Sequence, residues 1–406
     1  MSKEQSIAAA LQGIVDAGRL AGMATLAWRM DGAAETTCVG WRDLEAGQPI
    51  QRDTLFRIAS MTKPITSTAA LMLLEEGCFA LGDPITRWVP EFSSMRVLRS
   101  PTAALDDTVP AARPITFEDL LTHRSGLTYG AFHPHLLQQA FEKLGGSIDT
   151  LVAPDEWLAR LATLPLIDQP GAGFHYGHST DLLGLIIARV AQATLGELLL
   201  HKIFAPLGMH DTGFRVPTVH HHRRAAAYGF DATGRLTRRI AFGGGAVAAE
   251  RLEDMSYESG GAGLWSTLDD YLAFARMFVG QGAVDGVRLL QPQTLALMTA
   301  NHLTTEQRAK ARVLGNPLFA AGHSFGLGVA VVQEPEQADR LICGGGRGAV
   351  GWPGAYGGWW QADPNDGSVL IFLTHNMVEL DEYMRGLGFG AYEAIARFQA
   401  LASARA

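Results

Sequence analysis

The chain has 406 residues, enough for two or three average domains and for a large buried core. Hydrophobic residues make up 47% of it and charged residues 18%, which excludes a disordered chain. The net charge of −8 argues against a nucleic-acid-binding protein, because phosphate binding needs a positive field. Three widely spaced cysteines, Cys38, Cys78 and Cys343, form no disulfide framework, which favours a reducing compartment.

The N-terminal segment predicts a helix followed by a pair of strands. Residues 6–17 are apolar at helical spacing, and no basic region precedes them, so they do not resemble a secretion signal. Residues 23–30 and 36–41 predict two strands joined by a tight turn at Asp31-Gly32. Because no run of about 18 apolar residues occurs, we expect no membrane span and a cytoplasmic location.

The middle of the chain is predicted to be mostly helical, with Pro and Gly loops between the helices. Thr116 and Asp119 match a capping box at the start of one helix. Residues 180–193 carry a broad apolar face that is typical of a buried helix. Ser266 is predicted to cap a further helix.

The C-terminal part again predicts strands. Residues 325–332 are predicted to form one strand. Residues 358–362 and 368–374 flank a dense turn signal and should pair as antiparallel neighbours. A last helix is predicted over residues 391–402.

These elements together predict an α+β fold. An antiparallel sheet, flanked by helices, would be built from both ends of the chain, residues 1–82 and 301–406. A mostly helical domain, residues 83–300, would interrupt it, and we expect the active site to lie between the two parts.

The sharpest local motif is Ser60-Met61-Thr62-Lys63, followed by Pro64 and a helical run. If Ser60 opens this helix, Lys63 lies on the same face, close to the Ser60 hydroxyl. The free Ser60 N–H then sits at the positive end of the helix dipole, which suits stabilisation of an oxyanion. An amine accepts a proton only when neutral, and a solvated lysine is neutral about once in 2,500 molecules at pH 7. Taken alone, the motif is more often a helix cap with a solvated lysine.

Two further segments supply candidate partners for Ser60. Tyr176 lies just before the predicted helix over residues 180–193, and a phenol near Lys63 can share the Ser60 proton. In the segment Trp352-Pro353-Gly354-Ala355, the Ala355 N–H is a candidate second oxyanion donor beside that of Ser60.

With these segments in this order, the chain resembles the serine β-lactamase/penicillin-binding protein superfamily, and most closely the family VIII carboxylesterases, which are class C β-lactamase-like. The resemblance runs nearly end to end and is carried by residues 53–64, 120–127, Tyr176 with 181–184, 259–263 and 351–354. It implies a β-lactamase/DD-peptidase-like fold with Ser60 as the acylated nucleophile and Lys63 and Tyr176 as the proton-transfer pair. It also implies a substrate-binding set of Tyr129, His178, Trp352, Pro353 and Gly354.

Two departures from the class C pattern bear on the substrate. His178 stands where those enzymes carry Asn, and Trp352-Pro353-Gly354 stands where they carry K-T-G. A β-lactam carboxylate is best bound by a cation at that third site, and neither Trp nor Pro supplies one. The sequence therefore favours a carboxylesterase that acts on small or medium acyl esters without a cofactor or metal.

Three alternatives stay open. The same site would serve a β-lactamase, a D-amino-acid peptidase or an amidase. An acyl acceptor other than water would make the protein an acyltransferase. Outside these enzyme classes, a chain that is acylated without turnover would be a sensor.

Two other motifs are predicted to be structural. Gly322-His323-Ser324-Phe325-Gly326 matches the nucleophile elbow G-x-S-x-G, and Asp363 and His375 follow in the required order. An elbow needs a helix after its serine, whereas residues 325–332 predict a strand. His220-His221-His222 lacks the helical spacing of metal ligands, so no metal site is predicted there.

Overall fold

An eight-stranded antiparallel sheet forms the centre of the protein. The computed structural model describes residues 3–30, 32–132, 150–240, 257–313, 315–319 and 322–403. From one edge to the other, the strands are His323–Phe325, Ala330–Val332, Val350–Gly351, Trp359–Asp363, Ser368–Thr374, Gly22–Arg29, Glu35–Asp43 and Gln48–Pro49. The first and last thirds of the chain meet in the middle of the sheet, where Leu26 pairs with Ile371. A sheet built from both ends of the chain is confirmed.

The central strand Ser368–Thr374 is buried along its whole length because both faces of the sheet are covered. Leu370 and Phe372 pack into a core with the terminal helices Lys3–Asp16 and Gly390–Ser403. Ile371, on the other face, belongs to a larger core that continues into the helical part of the chain.

The remaining helices follow one another through the middle and end of the chain. They are Thr62–Glu75, Phe117–Leu121, Pro154–Ala162, Ser179–Ala191, Leu195–Leu199, Ala205–Leu207, Leu268–Val279, Pro292–Met298, Thr305–Lys310 and Leu380–Met384. The predicted capping box is present, since Thr116 accepts the Asp119 N–H and Asp119 accepts the Thr116 N–H. The helix that carries Lys63, Thr62–Glu75, packs against Ser179–Ala191, and Ile65, Leu182 and Ile371 share one core. The division at residues 82 and 300 stays a prediction.

Short two-stranded pairs connect the helices. They are Phe56–Arg57 with Trp265–Ser266, Arg96–Leu98 with Thr108–Pro110, Tyr228–Phe230 with Leu236–Arg238, Ala283–Val284 with Val287–Arg288, and Arg312–Val313 with Asn316–Pro317. The strand Phe56–Arg57 directly precedes the Ser60 turn in the chain, so its pairing with Trp265–Ser266 anchors the start of that turn.

Two local predictions were wrong. The single strand expected over residues 325–332 is a hairpin of His323–Phe325 and Ala330–Val332, because Gly328 adopts a φ of +91° and turns the chain back. The helix Leu268–Val279 is capped by Thr267, whose side chain accepts the Asp270 N–H, while Ser266 belongs to a strand. The turn at Asp31-Gly32 includes Asp31, which lies outside the described residues.

No single helix in the described ranges is long and apolar enough to cross a membrane. The helical segments Ser179–Ala191 and Leu195–Leu207 reach the required length and composition only together, across a bend of 78°.

Candidate active site

Ser60 lies in a turn that leads into the helix Thr62–Glu75. It is the middle residue of the 3-10 turn Ala59–Met61. Ala59 has a φ of 43°, in the left-handed region that residues other than glycine rarely adopt, so backbone strain lies next to Ser60. Ser60 keeps 9% of its surface exposed and lines a cavity.

Lys63 is fully buried, and its side-chain nitrogen contacts three oxygens. Nζ lies 3.0 Å from Ser60 Oγ, 3.3 Å from Tyr129 OH and 2.8 Å from Gly261 O. A carbonyl only accepts, so Lys63 donates to Gly261, and the three N–H groups of an ammonium match the three oxygens. Pro64 fits in the first turn of the helix because its missing N–H removes no helical hydrogen bond.

The Tyr176 phenol contacts Ser60 from another direction. Its oxygen lies 2.7 Å from Ser60 Oγ, and Lys63 Nζ lies 4.6 Å from the centroid of the Tyr176 ring. The Trp352 indole N–H donates to the Tyr176 oxygen at 3.0 Å. Because an indole N–H is only a donor, this bond stabilises negative charge on the Tyr176 oxygen. The structure thus brings Ser60, Lys63 and Tyr176 together and adds Trp352 to them.

The segment after the strand Val350–Gly351 makes a tight turn against the Ser60 loop. The Gly354 N–H donates to Gly358 O at 2.7 Å and the Gly357 N–H donates to Gly354 O at 2.9 Å. The Ala355 N–H takes no part in these two bonds. A Cβ at Gly354 would lie 2.5 Å from the Ile58 carbonyl oxygen, so only glycine permits this approach. Ser60 and Ala355 line the same cavity.

This cavity has a volume of about 440 Å³ and is lined mainly by apolar groups. Tyr176, Trp352 and Pro353 form its wall beside Ser60. Its other apolar residues include Leu318, Leu341, Ile342, Val378, Tyr392 and Ile395. Among the described residues of the lining, Asp339 carries the only charged side chain, and there is no Lys or Arg. Such a cavity suits a neutral, apolar group.

Tyr129 and His178 are not among the residues that line this cavity, and their contact with substrate stays a prediction. Tyr129 is 8% exposed and lies against Lys63. Burial raises the pKa of Tyr129 well above its ordinary value, so its phenol is neutral at neutral pH. His178 is fully buried. Its Nδ1 lies 2.9 Å from Asp181 Oδ2, and its ring packs edge-on against Tyr129.

The sequence assigned no role to three residues of this site. Gly261 supplies the carbonyl that accepts from Lys63, and Asp181 accepts the Gly261 N–H. The His123 ring packs 4.9 Å from the Tyr176 ring, and burial, together with the charge of Lys63, lowers the pKa of His123 well below its ordinary value. All three lie within segments that carried the family resemblance. The sequence therefore marked these segments as important but did not indicate what each of the three residues does.

The other motifs have ordinary structural surroundings. Ser324 lies in the strand His323–Phe325, and its hydroxyl donates to the Asn301 side chain. His375 is buried, and its Nδ1 lies 2.7 Å from Ala225 O rather than near Ser324. His221 packs with its Nε2 2.9 Å from Val216 O. Within the described part of the chain, no group of His, Cys, Asp and Glu could hold a metal ion.

Comparison with known proteins places the chain in a family. The family model described as Beta-lactamase matches residues 7–391. The chain therefore belongs to the beta-lactamase family.

Two individual relatives are described as an esterase and a hydrolase, and a third is described only as a protein. Esterase EstB of Burkholderia gladioli is 34% identical over 397 residues, covering 92% of this chain and 92% of EstB. Protein Rv1367c of Mycobacterium tuberculosis (strain ATCC 25618 / H37Rv) is 44% identical over 372 residues, covering 92% of this chain and 90% of that protein. The solved structure of EstCE1, described as a hydrolase with promiscuous acyltransferase activity, has a TM-score of 0.76 at 28% identity, covering 97% of this chain and 98% of EstCE1. The resemblance to family VIII carboxylesterases and the α+β fold are confirmed, and together they support a carboxylesterase-type hydrolase.

Proposed function

We propose that the chain hydrolyses small or medium acyl esters through an acyl-enzyme on Ser60, with Lys63 and Tyr176 as the proton-transfer pair. One observation carries the proposal. Ser60 Oγ lies 3.0 Å from Lys63 Nζ and 2.7 Å from the Tyr176 oxygen, at the wall of an apolar cavity. The esterase and hydrolase names of EstB and EstCE1 support the same reaction.

In the acylation step, Ser60 Oγ attacks the ester carbonyl carbon and the Tyr176 phenolate takes the Ser60 proton. The Lys63 ammonium and the Trp352 N–H stabilise the phenolate before the transfer. The substrate oxygen becomes an oxyanion between the N–H groups of Ser60 and Ala355, each worth about 2.7–4 kcal/mol. When the intermediate collapses, the bond to the alcohol oxygen breaks and Tyr176 returns the proton to that oxygen.

Deacylation repeats these steps with water as the nucleophile. Water attacks the acyl carbon while Tyr176 takes one of its protons. The bond between the acyl carbon and Ser60 Oγ then breaks, and Tyr176 returns the proton to Ser60. An alcohol that took the place of this water would turn hydrolysis into acyl transfer, which is the activity named for EstCE1 alongside hydrolysis.

The charge of the cavity lining predicts that the protein prefers neutral esters to substrates that carry a carboxylate. A cephalosporin carries a carboxylate, and the described lining offers it no Lys or Arg but does contain Asp339. We expect kcat/KM for a chromogenic cephalosporin to be orders of magnitude below that for 4-nitrophenyl butyrate, measured by absorbance in one buffer. Comparable values would show that the missing cation does not decide the substrate.

Replacing Trp352 with Phe is expected to lower kcat by about 10- to 150-fold with little change in KM. Phe keeps an aromatic ring near Phe325 but lacks the N–H that donates to the Tyr176 oxygen. Loss of one hydrogen bond to a charged oxygen costs about 1.5–3 kcal/mol. Trp28→Phe is the matched control. Trp28 lines a different cavity that does not include Ser60, so this variant should keep the kcat of the unmodified protein. A Trp352→Phe variant with full kcat would show that this donor does not assist Tyr176.

Rapid mixing with 4-nitrophenyl butyrate tests the proposed function against the sensor alternative. The proposal expects steady-state release of nitrophenol over many turnovers. A single stoichiometric burst without further release would identify a protein that is acylated and not regenerated. Addition of a primary alcohol, with product analysis by mass spectrometry, separates hydrolysis from acyl transfer.

A further inference from the structure

A buried carboxylate lies behind the proposed catalytic group. Asp181 occupies the first turn of the helix Ser179–Ala191 and is 1% exposed. Its Oδ1 accepts from Ser259 Oγ at 2.5 Å and from the Gly261 N–H at 3.0 Å, and its Oδ2 lies 2.9 Å from His178 Nδ1. Both carboxylate oxygens therefore have hydrogen-bond partners, although the side chain has no access to bulk solvent.

Asp181 remains ionised in this setting. Burial by itself raises the pKa of a carboxyl group, but the hydrogen bond from His178, the charges of His178 and Lys63, and the hydrogen bond from Ser259 outweigh it. The net result is a pKa of Asp181 below its ordinary value. The carboxylate charge is thus present throughout the neutral pH range.

The Gly261 peptide links this carboxylate to Lys63. The N–H of Gly261 donates to Asp181, and the carbonyl of the same residue accepts from Lys63 Nζ at 2.8 Å. The loop is packed closely against Asp181, since a Cβ at Gly261 would lie 2.9–3.0 Å from three atoms of the carboxyl group. Ser259 adds a second constraint, because its hydroxyl oxygen also accepts the Ala262 N–H.

Several other titratable groups surround Asp181 and Lys63. Lys63 faces the phenols of Tyr129 and Tyr176 and lies near the neutral His123. Asp181 lies near Tyr257, whose pKa burial raises well above its ordinary value. His178 is the remaining neighbour, and its Nδ1 faces Asp181 Oδ2.

We infer that Asp181 is a positioning residue of the proposed hydrolysis: it fixes the Gly261 carbonyl against Lys63 and places a negative charge behind the Lys63 side chain. This inference rests on the proposed function of Ser60, Lys63 and Tyr176. The carboxylate does not touch the substrate cavity. It acts on the reaction through Lys63.

The substitution Asp181→Asn tests the charge while keeping the shape. The amide oxygen of Asn still accepts from Ser259 and Gly261, but the negative charge is lost. Loss of a negative charge favours deprotonation of the groups around it, so the alkaline limb of the kcat/KM profile for 4-nitrophenyl butyrate should move to lower pH by about one unit. We expect kcat at the optimum to fall about tenfold.

Asp270→Asn is the matched control. Asp270 is also buried, and its Oδ2 accepts from the Asp211 N–H and from Thr212 Oγ1, both at 2.8 Å. Its contacts do not include the Ser60 site, so the variant should keep the pH profile of the unmodified protein. A general effect of removing a buried charge would shift both profiles.

A folded Asp181→Asn variant with an unshifted alkaline limb would overturn the inference. If that variant does not fold, Gly261→Ala tests the same inference. It keeps the charge of Asp181, but its added Cβ displaces the Gly261 carbonyl from Lys63. We expect at least a tenfold loss of kcat, and an unchanged kcat would overturn the inference. Failure of the unmodified protein to hydrolyse any ester would instead refute the proposed function, so the two failures are distinguishable.

Discussion

Replacing Ser60 with Ala is expected to lower ester turnover by about 10⁶-fold, the order of loss that follows removal of the nucleophile of a serine hydrolase. The substitution removes the one atom that contacts both Lys63 Nζ and the Tyr176 oxygen. The Ser60 side chain has few other contacts to lose because it faces the cavity. Initial rates with 4-nitrophenyl butyrate, together with a thermal melt to verify folding, measure the effect.

Ser324→Ala is the control for this prediction. Ser324 lies in the strand His323–Phe325 and donates to the Asn301 side chain, so its loss should cost about 1 kcal/mol of stability and little activity. If Ser324→Ala abolished turnover and Ser60→Ala did not, the nucleophile would be Ser324 in an elbow motif, and the proposed role of Ser60 would be wrong.

Tyr176→Phe should lower kcat by about 10²- to 10⁴-fold, the usual range for a general acid–base group. Phe preserves the ring that packs against His123 and Phe132, but it lacks the oxygen that contacts Ser60 and Trp352. KM should change little, since the ring still forms its part of the cavity wall. Steady-state kinetics on a short-chain nitrophenyl ester provide both constants.

Tyr228→Phe serves as the matched control for Tyr176→Phe. Tyr228 is 1% exposed, and its hydroxyl contacts the Leu44 N–H and Glu45. That variant should keep kcat within about twofold even if its stability falls, because its hydroxyl lies in a different hydrogen-bond network. An undiminished kcat in Tyr176→Phe would remove Tyr176 from the mechanism and leave Lys63 as the base.

The architecture of the sheet could be predicted because its strands have strong local patterns. Residues 369–373 form an apolar run without alternation, which is typical of a strand covered on both faces, and they lie in the central strand Ser368–Thr374. The hairpin within residues 323–332 was missed for a physical reason. Its turn rests on Gly328, whose positive φ is invisible in a run of apolar residues and glycines.

Only part of the proposed catalytic group of Ser60, Lys63 and Tyr176 could be predicted from spacing in the sequence. Ser60 and Lys63 are three residues apart, so helical geometry alone predicts that they meet. Tyr176 is more than a hundred residues further along. Its phenol made it a candidate partner of Ser60, but no local spacing predicted the contact. The inward orientation of His178 could not be foreseen, because it depends on Asp181 in the next helical turn.

The hydrogen bonds between Lys63, Gly261 and Asp181 could not be predicted from the sequence. Residues 259–263 belonged to the family resemblance, but the sequence does not reveal that the Gly261 carbonyl accepts from Lys63. That contact is made by the backbone, which has no side-chain signature. The same holds for the Ala355 N–H, whose proposed role depends on the close packing of the turn at residues 354–358.

Labelling with a fluorophosphonate, followed by peptide mapping by mass spectrometry, tests the role of Ser60 as nucleophile most directly. The reagent modifies a serine whose proton is taken by a neighbouring base, and we expect one adduct, on Ser60. Lys63→Met and Tyr176→Phe variants should label far more slowly than the unmodified protein. An adduct on Ser324, or rapid labelling of Ser60 in both variants, would contradict the proposed mechanism.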